Sequence, residues 1–191
     1  MNTGIIILAA GNAVRFGSDK RIALLNGKPL LMHAVDCYSA LDCPILLVCK
    51  DIPPALRKRL TGRVEILQVP DTNGVGDSLA AGVQNAERRG WDAALIALGD
   101  MPCLKAQTAS AILEQLHHHD AVVPVFDEQW GHPVGFRKVC FQKLAQLAGD
   151  KGGRSVLKQA KPHELQVNDP GVLIDVDDPE QLIQAIEYIE D

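Results

Sequence analysis

Arg15 and Lys20 are the first residues of this chain whose types and placing suggest chemistry. They follow Leu8-Ala9-Ala10-Gly11, a run of small residues that leaves the apolar stretch Ile5-Ile6-Ile7-Leu8. A loop without bulky side chains lets phosphate oxygens come close to backbone N–H groups, and two cations then neutralise the added charge. That combination suits a nucleoside triphosphate. The Gly-x-x-x-x-Gly-Lys-Ser/Thr spacing of a Walker loop is absent, and so is the Gly-x-Gly-x-x-Gly of a dinucleotide site. Asp100, within Leu98-Gly99-Asp100-Met101-Pro102, directly follows a second apolar run. A carboxylate there is suited to Mg²⁺, which takes one or two carboxylates and completes its shell with phosphate and water. A turn-forming Asp ahead of a proline is the plainer alternative.

Other polar segments offer possible partners. In Ile174-Asp175-Val176-Asp177-Asp178-Pro179-Glu180, Asp177 or Asp178 can cap a final helix with Pro179 at its first position. Asp175 and Asp177 share one side of an extended segment, so one of them can be a second metal ligand while a neighbour caps. Gly74 and Ser78, in Asn73-Gly74-Val75-Gly76-Asp77-Ser78-Leu79, open a helix after a strand. Backbone groups there can read a base edge or meet a phosphate; a loop with Ser78 or Asp77 as a cap is the alternative. His132, in Gly131-His132-Pro133-Val134, can hydrogen-bond a substrate. Lys151 and Arg154, in Gly149-Asp150-Lys151-Gly152-Gly153-Arg154, can clamp a second phosphate. A loop histidine and a turn are the alternatives for these two segments. His117-His118-His119 reads as the solvated end of a helix, because three adjacent residues do not share a face.

Such residues need a frame. Short apolar runs predict strands over Gly4–Ala9, Pro44–Cys49, Val64–Val69, Ala93–Leu98, Ala121–Val125 and Pro133–Arg137. The first and fourth are apolar throughout, as expected for strands covered on both faces. Between them, apolar residues at helical spacing predict helices over Pro29–Leu41, Asp77–Arg89, Ala106–His117 and Pro179–Ile189. Phe126–His132 reads as a loop and Gly149–Arg154 as a polar break. This alternation predicts an α/β, Rossmann-like fold: a mostly parallel sheet with helices on both faces. In such sheets ligands sit beyond the carboxyl ends of the strands, where Leu8–Gly11 and Asp100 fall.

Composition sets the outer bounds. The chain has 191 residues, enough for one domain, residues 1–191, with a well-buried core. An apolar fraction of 47% with 23% charged residues argues against disorder. A net charge of -5 argues against a nucleic-acid partner, so an anion must be held by local cations. Five cysteines without close pairing read as reduced, buried thiols. No targeting segment or membrane span is visible, so a cytoplasmic location is expected.

Taken in order, these motifs resemble the small nucleotidyltransferases that modify the molybdenum cofactor, and within them the cytidylyltransferase branch. The resemblance rests on Leu8-Ala9-Ala10-Gly11 with Arg15, Gly17 and Lys20, and on Gly27-Lys28-Pro29-Leu30-Leu31. It continues through Gly74, Ser78-Leu79 and Gly82 to Gly99-Asp100-Met101-Pro102. The later segments at 131–134, 149–152 and 175–180 complete it, so the match spans nearly the whole chain. The resemblance implies a nucleotide-diphospho-sugar transferase-like fold. It implies that Leu8, Ala9, Ala10, Gly11, Arg15 and Lys20 bind the triphosphate and that Gly74 and Ser78 contact the base. It further implies Mg²⁺ on Asp100 and Asp177, with catalysis by Arg15, Lys20 and Asp100, and substrate contacts from His132, Lys151 and Arg154. The expected reaction moves CMP from CTP to the terminal phosphate of molybdopterin, with a molybdoenzyme as recipient of the product. Ala10 matches the cytidylyl branch, where the guanylyl branch usually has a glycine. Asn12, Ala13 and Arg21-Ile22-Ala23 depart from the pattern without removing the phosphate cations. Guanylylation of the same cofactor, cytidylylation of another phosphorylated small molecule, and a non-catalytic nucleotide-binding or cofactor-delivery protein are the alternatives.

Overall fold

Alternate residues of the apolar strands are buried in opposite directions, and this builds a three-layer molecule. The computed structural model describes residues 1–11, 16–60, 62, 64–70 and 74–189. Strand β1 (Thr3–Leu8) sends Ile6 and Leu8 to one core and Ile5 and Ile7 to another. Two minimal strands, β2 (Leu24–Leu25) and β3 (Lys28–Pro29), form a small hairpin that leads into helix α1 (Leu30–Ser39). Then follow β4 (Ile45–Cys49), the single turn α2 (Pro54–Arg57), β5 (Val64–Gln68) and α3 (Val75–Arg88). Next come β6 (Ala93–Leu98), α4 (Ala106–Gln115), β7 (Ala121–Phe126), β8 (Gln129–Trp130) and β9 (Val134–Arg137). The chain closes through α5 (Phe141–Leu144), α6 (Arg154–Ala160), β10 (His163–Gln166) and α7 (Pro179–Gln184).

Among the described residues eight strands form the main sheet, in the order β10-β7-β9-β6-β1-β4-β5, with β8 paired to β7. The β1–β4, β1–β6, β4–β5 and β7–β10 pairs are parallel; β9 runs antiparallel between β6 and β7. This is the expected α/β, mostly parallel arrangement. Leu79, Val83 and Ala86 of α3 pack on the face that carries Ile6, Leu46 and Ile96, together with Phe141, Leu144, Val156 and Leu157. Leu31 and Val35 of α1 and Ile112 of α4 cover the opposite face. A third apolar cluster joins Leu25 and Leu30 to Cys103, Val176 and Ala185, and so fastens the C-terminal segment to the hairpin. The five cysteines are free thiols.

Several local expectations need correction. The last helix ends as α-helix at Gln184 and tightens to a 3₁₀ turn over Ala185–Tyr188. The loop at 126–132 contains β8, turned by Asp127 and Glu128 at positive φ. Strand β10 and helix α6 do not stand out in the sequence. His163-Glu164-Leu165-Gln166 is an edge strand that carries little apolar surface, and α6 buries only Val156 and Leu157.

The sheet reverses direction at β1. The chain runs outward from β1 to β4 and β5, then returns to the other side of β1 as β6. Such a reversal opens a crevice at the carboxyl ends of the two strands. The N–H of Gly99 donates to the carbonyl of Leu8 at 2.9 Å, which joins the two strand ends. A Cβ at Gly99 would lie 2.8 Å from Leu31 and 3.1 Å from Ala9, so a larger residue here would require Leu31 to shift.

Candidate active site

Asp100 leaves β6 at this crevice. Its carbonyl accepts the N–H of Val176 at 3.0 Å, and this bond brings the segment before α7 alongside. Asp178 caps α7 by accepting the N–H of Gln181 at 2.9 Å, with Pro179 at the first helical turn. Asp177 is therefore left free of capping. Its own N–H donates to Oε1 of Gln181 at 2.6 Å, which fixes the backbone, and its carboxylate faces Asp100.

Lys20 lies between the two carboxylates. Its Nζ donates to Asp100 Oδ2 at 2.7 Å, to Asp177 Oδ1 at 2.8 Å and to the carbonyl of Val176 at 3.1 Å. Burial presses the ammonium toward its neutral form, but the attraction of Asp100 and Asp177 outweighs this and holds its pKa above the ordinary lysine value. Asp175, beside this group, is shifted upward by partial burial and then by the nearby charge of Asp177. Among the described residues Lys20 bonds to Asp177 and not to Asp175, so Asp177 is the residue that converges with Asp100. Oδ1 of Asp100 is buried and has no hydrogen-bond partner among the described residues.

Arg21 explains how Lys20 is held. Lys20–Ile22 is a 3₁₀ turn capped by Asp19, which accepts the N–H of Arg21. The Arg21 guanidinium takes both oxygens of Asp19 at 2.8 Å, and the carbonyl and carboxylate of Asp51 at 2.8 Å. Its planar fork thus binds the turn to the loop after β4. In the sequence Arg21 appears only as a departure from the family pattern. Its role depends on Asp51, thirty residues away.

Three adjoining cavities extend along the strand ends. The first, about 680 Å³, is lined by Leu8, Ala9, Ala10, Gly11, Lys20 and Asp100, with Arg21 and Asp177 also on its wall. The second, about 530 Å³, reaches from Ala10 and Gly11 to Gly74, Ser78 and Asp150. The third, about 300 Å³, is largely apolar, with Leu79, Trp130, His132, Phe136 and Arg154 in its lining. Leu8 borders all three. Arg15 lies outside the described residues. Lys151 is exposed and lines none of the three cavities.

Ser78 sits inside α3 and is buried, and the helix begins at Gly74 without a side-chain cap. The capping alternative for Ser78 and Asp77 is therefore corrected. Asp77 instead accepts the N–H of Gly149 at 3.1 Å, and the N–H of Gly76 donates to the Gly149 carbonyl at 2.8 Å. These bonds lay the 149–151 loop against the start of α3. A Cβ on Gly74 would collide with the Gly149 backbone and the Asp150 carboxylate. Asp150 reached the second cavity without being expected there. It stands out only once the loop is seen against α3.

His132 is held mainly neutral. Burial lowers its pKa, while the Ile96 carbonyl and Asp100 act in the opposite direction. Its Nδ1 is buried without a partner among the described residues. Trp130, next to it, is fixed by Nε1 donating to Glu164 Oε1 at 2.9 Å. No group of three or more His, Cys, Asp or Glu side chains suited to a metal is formed among the described residues. Two carboxylates, one with an unengaged oxygen, nevertheless meet the needs of an ion that draws its other ligands from phosphate and water.

A small-residue loop and a carboxylate pair at the reversal point of a parallel sheet define an enzyme of the nucleotidyl-transferring class. The chain belongs to the MobA-like NTP transferase domain family, whose model matches residues 5–165. It is 28% identical to the "Probable molybdenum cofactor guanylyltransferase" of Thermococcus gammatolerans over 174 residues, 84% of each chain. It is 30% identical over 132 residues to the "Bifunctional protein GlmU" of Roseobacter denitrificans, covering 66% of this chain but only 29% of that one. Its fold matches the crystal structure of Rv0371c from Mycobacterium tuberculosis at a TM-score of 0.87 and 24% identity, over 97% of both chains. A complex of that protein with manganese matches at a TM-score of 0.83, with 23% identity over 98% of this chain and 99% of that one. No helix among the described residues is long and apolar enough to cross a membrane.

Proposed function

We propose that the protein transfers CMP from CTP to the terminal phosphate of molybdopterin, with residues 1–191 acting as one nucleotidyltransferase domain. The observation that carries this reading is the convergence of Asp100 and Asp177 on Lys20, beside the Leu8–Gly11 loop. The triphosphate lies along the first cavity. Backbone N–H groups of Ala10 and Gly11, with Arg15 and Lys20, hold its oxygens, while the Ala9 N–H is spent on the Val48 carbonyl. The base enters the second cavity, next to Gly74 and Ser78. The acceptor occupies the third, where its ring meets apolar walls beside His132 and Arg154 attracts its phosphate.

An oxygen of the acceptor phosphate attacks the α-phosphorus in line. The bond from that phosphorus to the bridging oxygen breaks, and pyrophosphate leaves with the electron pair. The nucleophile is already anionic, so no protein base is needed. The chain's own work is alignment and neutralisation of charge. Asp100 and Asp177 would hold Mg²⁺, which supplies positive charge to the phosphate oxygens. The manganese complex of a structural relative supports a divalent ion in this fold.

Ala10 favours cytosine. The name of the Thermococcus relative favours the second reading, guanylylation of the same cofactor. Pyrophosphate release, measured with molybdopterin, Mg²⁺ and either CTP or GTP, decides between them. The expected result is faster release with CTP. The reverse preference assigns the guanylyl reaction, and release with neither removes molybdopterin as the acceptor. Asp100→Ala should keep its far-UV circular dichroism and lose metal-dependent turnover, whereas removing one phosphate cation should cost about 2.7–4 kcal/mol of transition-state stabilisation. Metal-dependent turnover at the wild-type rate in that variant removes Asp100 from the mechanism.

A further inference from the structure

Lys20 occupies the place between Asp100 and Asp177 that a divalent ion would need. We propose that it is a placeholder: it keeps free divalent ions out until a triphosphate draws its ammonium away. This rests on the reading that the two carboxylates hold a metal, and it adds how that site is regulated.

An ammonium group has three donors. All three are used here, on Asp100 Oδ2, Asp177 Oδ1 and the Val176 carbonyl. The Lys20 side chain is 13% exposed, so water replaces few of these bonds. A free ion entering alone would have to expel the ammonium and leave a largely buried cation without partners. That expulsion opposes most of what the ion would gain. A triphosphate changes the balance. Its oxygens can take the donors of Lys20, because Lys20, Gly11 and both aspartates line the same cavity. The carboxylate oxygens are then released, and Oδ1 of Asp100 already has no partner among the described residues. Arg21 holds the turn that carries Lys20 through Asp19 and Asp51, so the ammonium needs only a side-chain rotation to change partners. Metal and nucleotide therefore assist each other's binding, by the same factor in both directions.

Mn²⁺ binding, followed by the loss of the free-ion electron spin resonance signal, tests this directly. Wild-type protein without nucleotide should bind Mn²⁺ weakly. Lys20→Met, which keeps the stem and removes the charge, should bind it about tenfold or more tightly, in the range of ordinary coupling between sites. Adding Asp177→Asn to Lys20→Met should abolish the gain. A non-transferable nucleotide, α,β-methylene CTP, should tighten Mn²⁺ binding to the wild type by a similar factor, beyond its own affinity for the ion, and do much less for Lys20→Met. A measurement on the wild type alone guards against a misfolded variant. Mn²⁺ should leave its melting temperature unmoved without the nucleotide analogue and raise it with the analogue present. Equal Mn²⁺ affinity in wild type and Lys20→Met, or a full thermal shift with Mn²⁺ alone, overturns the placeholder and leaves the transferase reading standing. Failure of every form to bind Mn²⁺, with or without the analogue, removes the metal site and the placeholder together.

Discussion

His132 presents a half-buried imidazole to the apolar cavity, and desolvation of the ring sets its protonation. Its pKa lies below the ordinary 6.5. The unfolded chain therefore takes up a proton before the folded chain does. The group contributes stability above pH 6.5, and this is lost as the pH falls through the lowered folded value. Unfolding midpoints in urea should decline between pH 7 and pH 5, and His132→Gln should flatten that part of the profile. An unchanged slope in the variant would show that other groups set the acid response.

At the scale of elements, a half-exposed carboxylate and a buried one do different work. Asp100 belongs to the cleft. Asp169 is 2% exposed and purely architectural. It accepts from the hydroxyl of Thr108 at 2.6 Å, the N–H of Lys105 at 3.0 Å and the N–H of Gly171 at 3.0 Å. It thus covers the start of α4 and sets the turn that leads toward Asp177. Its bond to Gly171 is a local turn, but its partners at the start of α4 lie more than sixty residues earlier and leave no local pattern. Asp169→Ala should lower stability by about 2–3 kcal/mol, the usual loss when hydrogen bonds to a charged group are removed. Chemical denaturation would measure it. A loss under 0.5 kcal/mol, the size of an ordinary surface change, would contradict this assignment. α4 is legible from its apolar spacing, whereas the residue that begins it is not.

The whole molecule assembles the candidate site from four distant stretches: the end of β1, the turn at Lys20, the end of β6 and the segment before α7. The family match ends at residue 165, before Asp177. The last segment is nevertheless joined to the rest through Val176 and Ala185, which pack with Leu25, Leu30 and Cys103. A chain shortened after Leu173 should keep the circular dichroism of the main sheet, expose that apolar cluster and melt at a lower temperature. It should also lose metal-dependent pyrophosphate release. Retained release in the shortened chain would place the second metal ligand elsewhere.

The sequence by itself determined the sheet and its covering helices. Ile5–Leu8, Ile45–Cys49 and Ala93–Leu98 are apolar at every position, and Leu79, Val83 and Ala86 repeat at helical spacing; such patterns fix which surfaces must leave water. Together with the chain order, they place Leu8–Gly11 and Asp100 at the ligand edge of the sheet. Only the tertiary structure set Asp177 against Lys20, gave the capping role to Asp178 and showed Arg21 fastened to Asp51. It also brought Asp150 beside Gly74 and set Lys20 between two carboxylates that lie 80 and 157 residues away. The physical reason is range. Burial pattern is written locally, residue by residue, whereas a charge acquires its partner only when strands remote in sequence lie side by side.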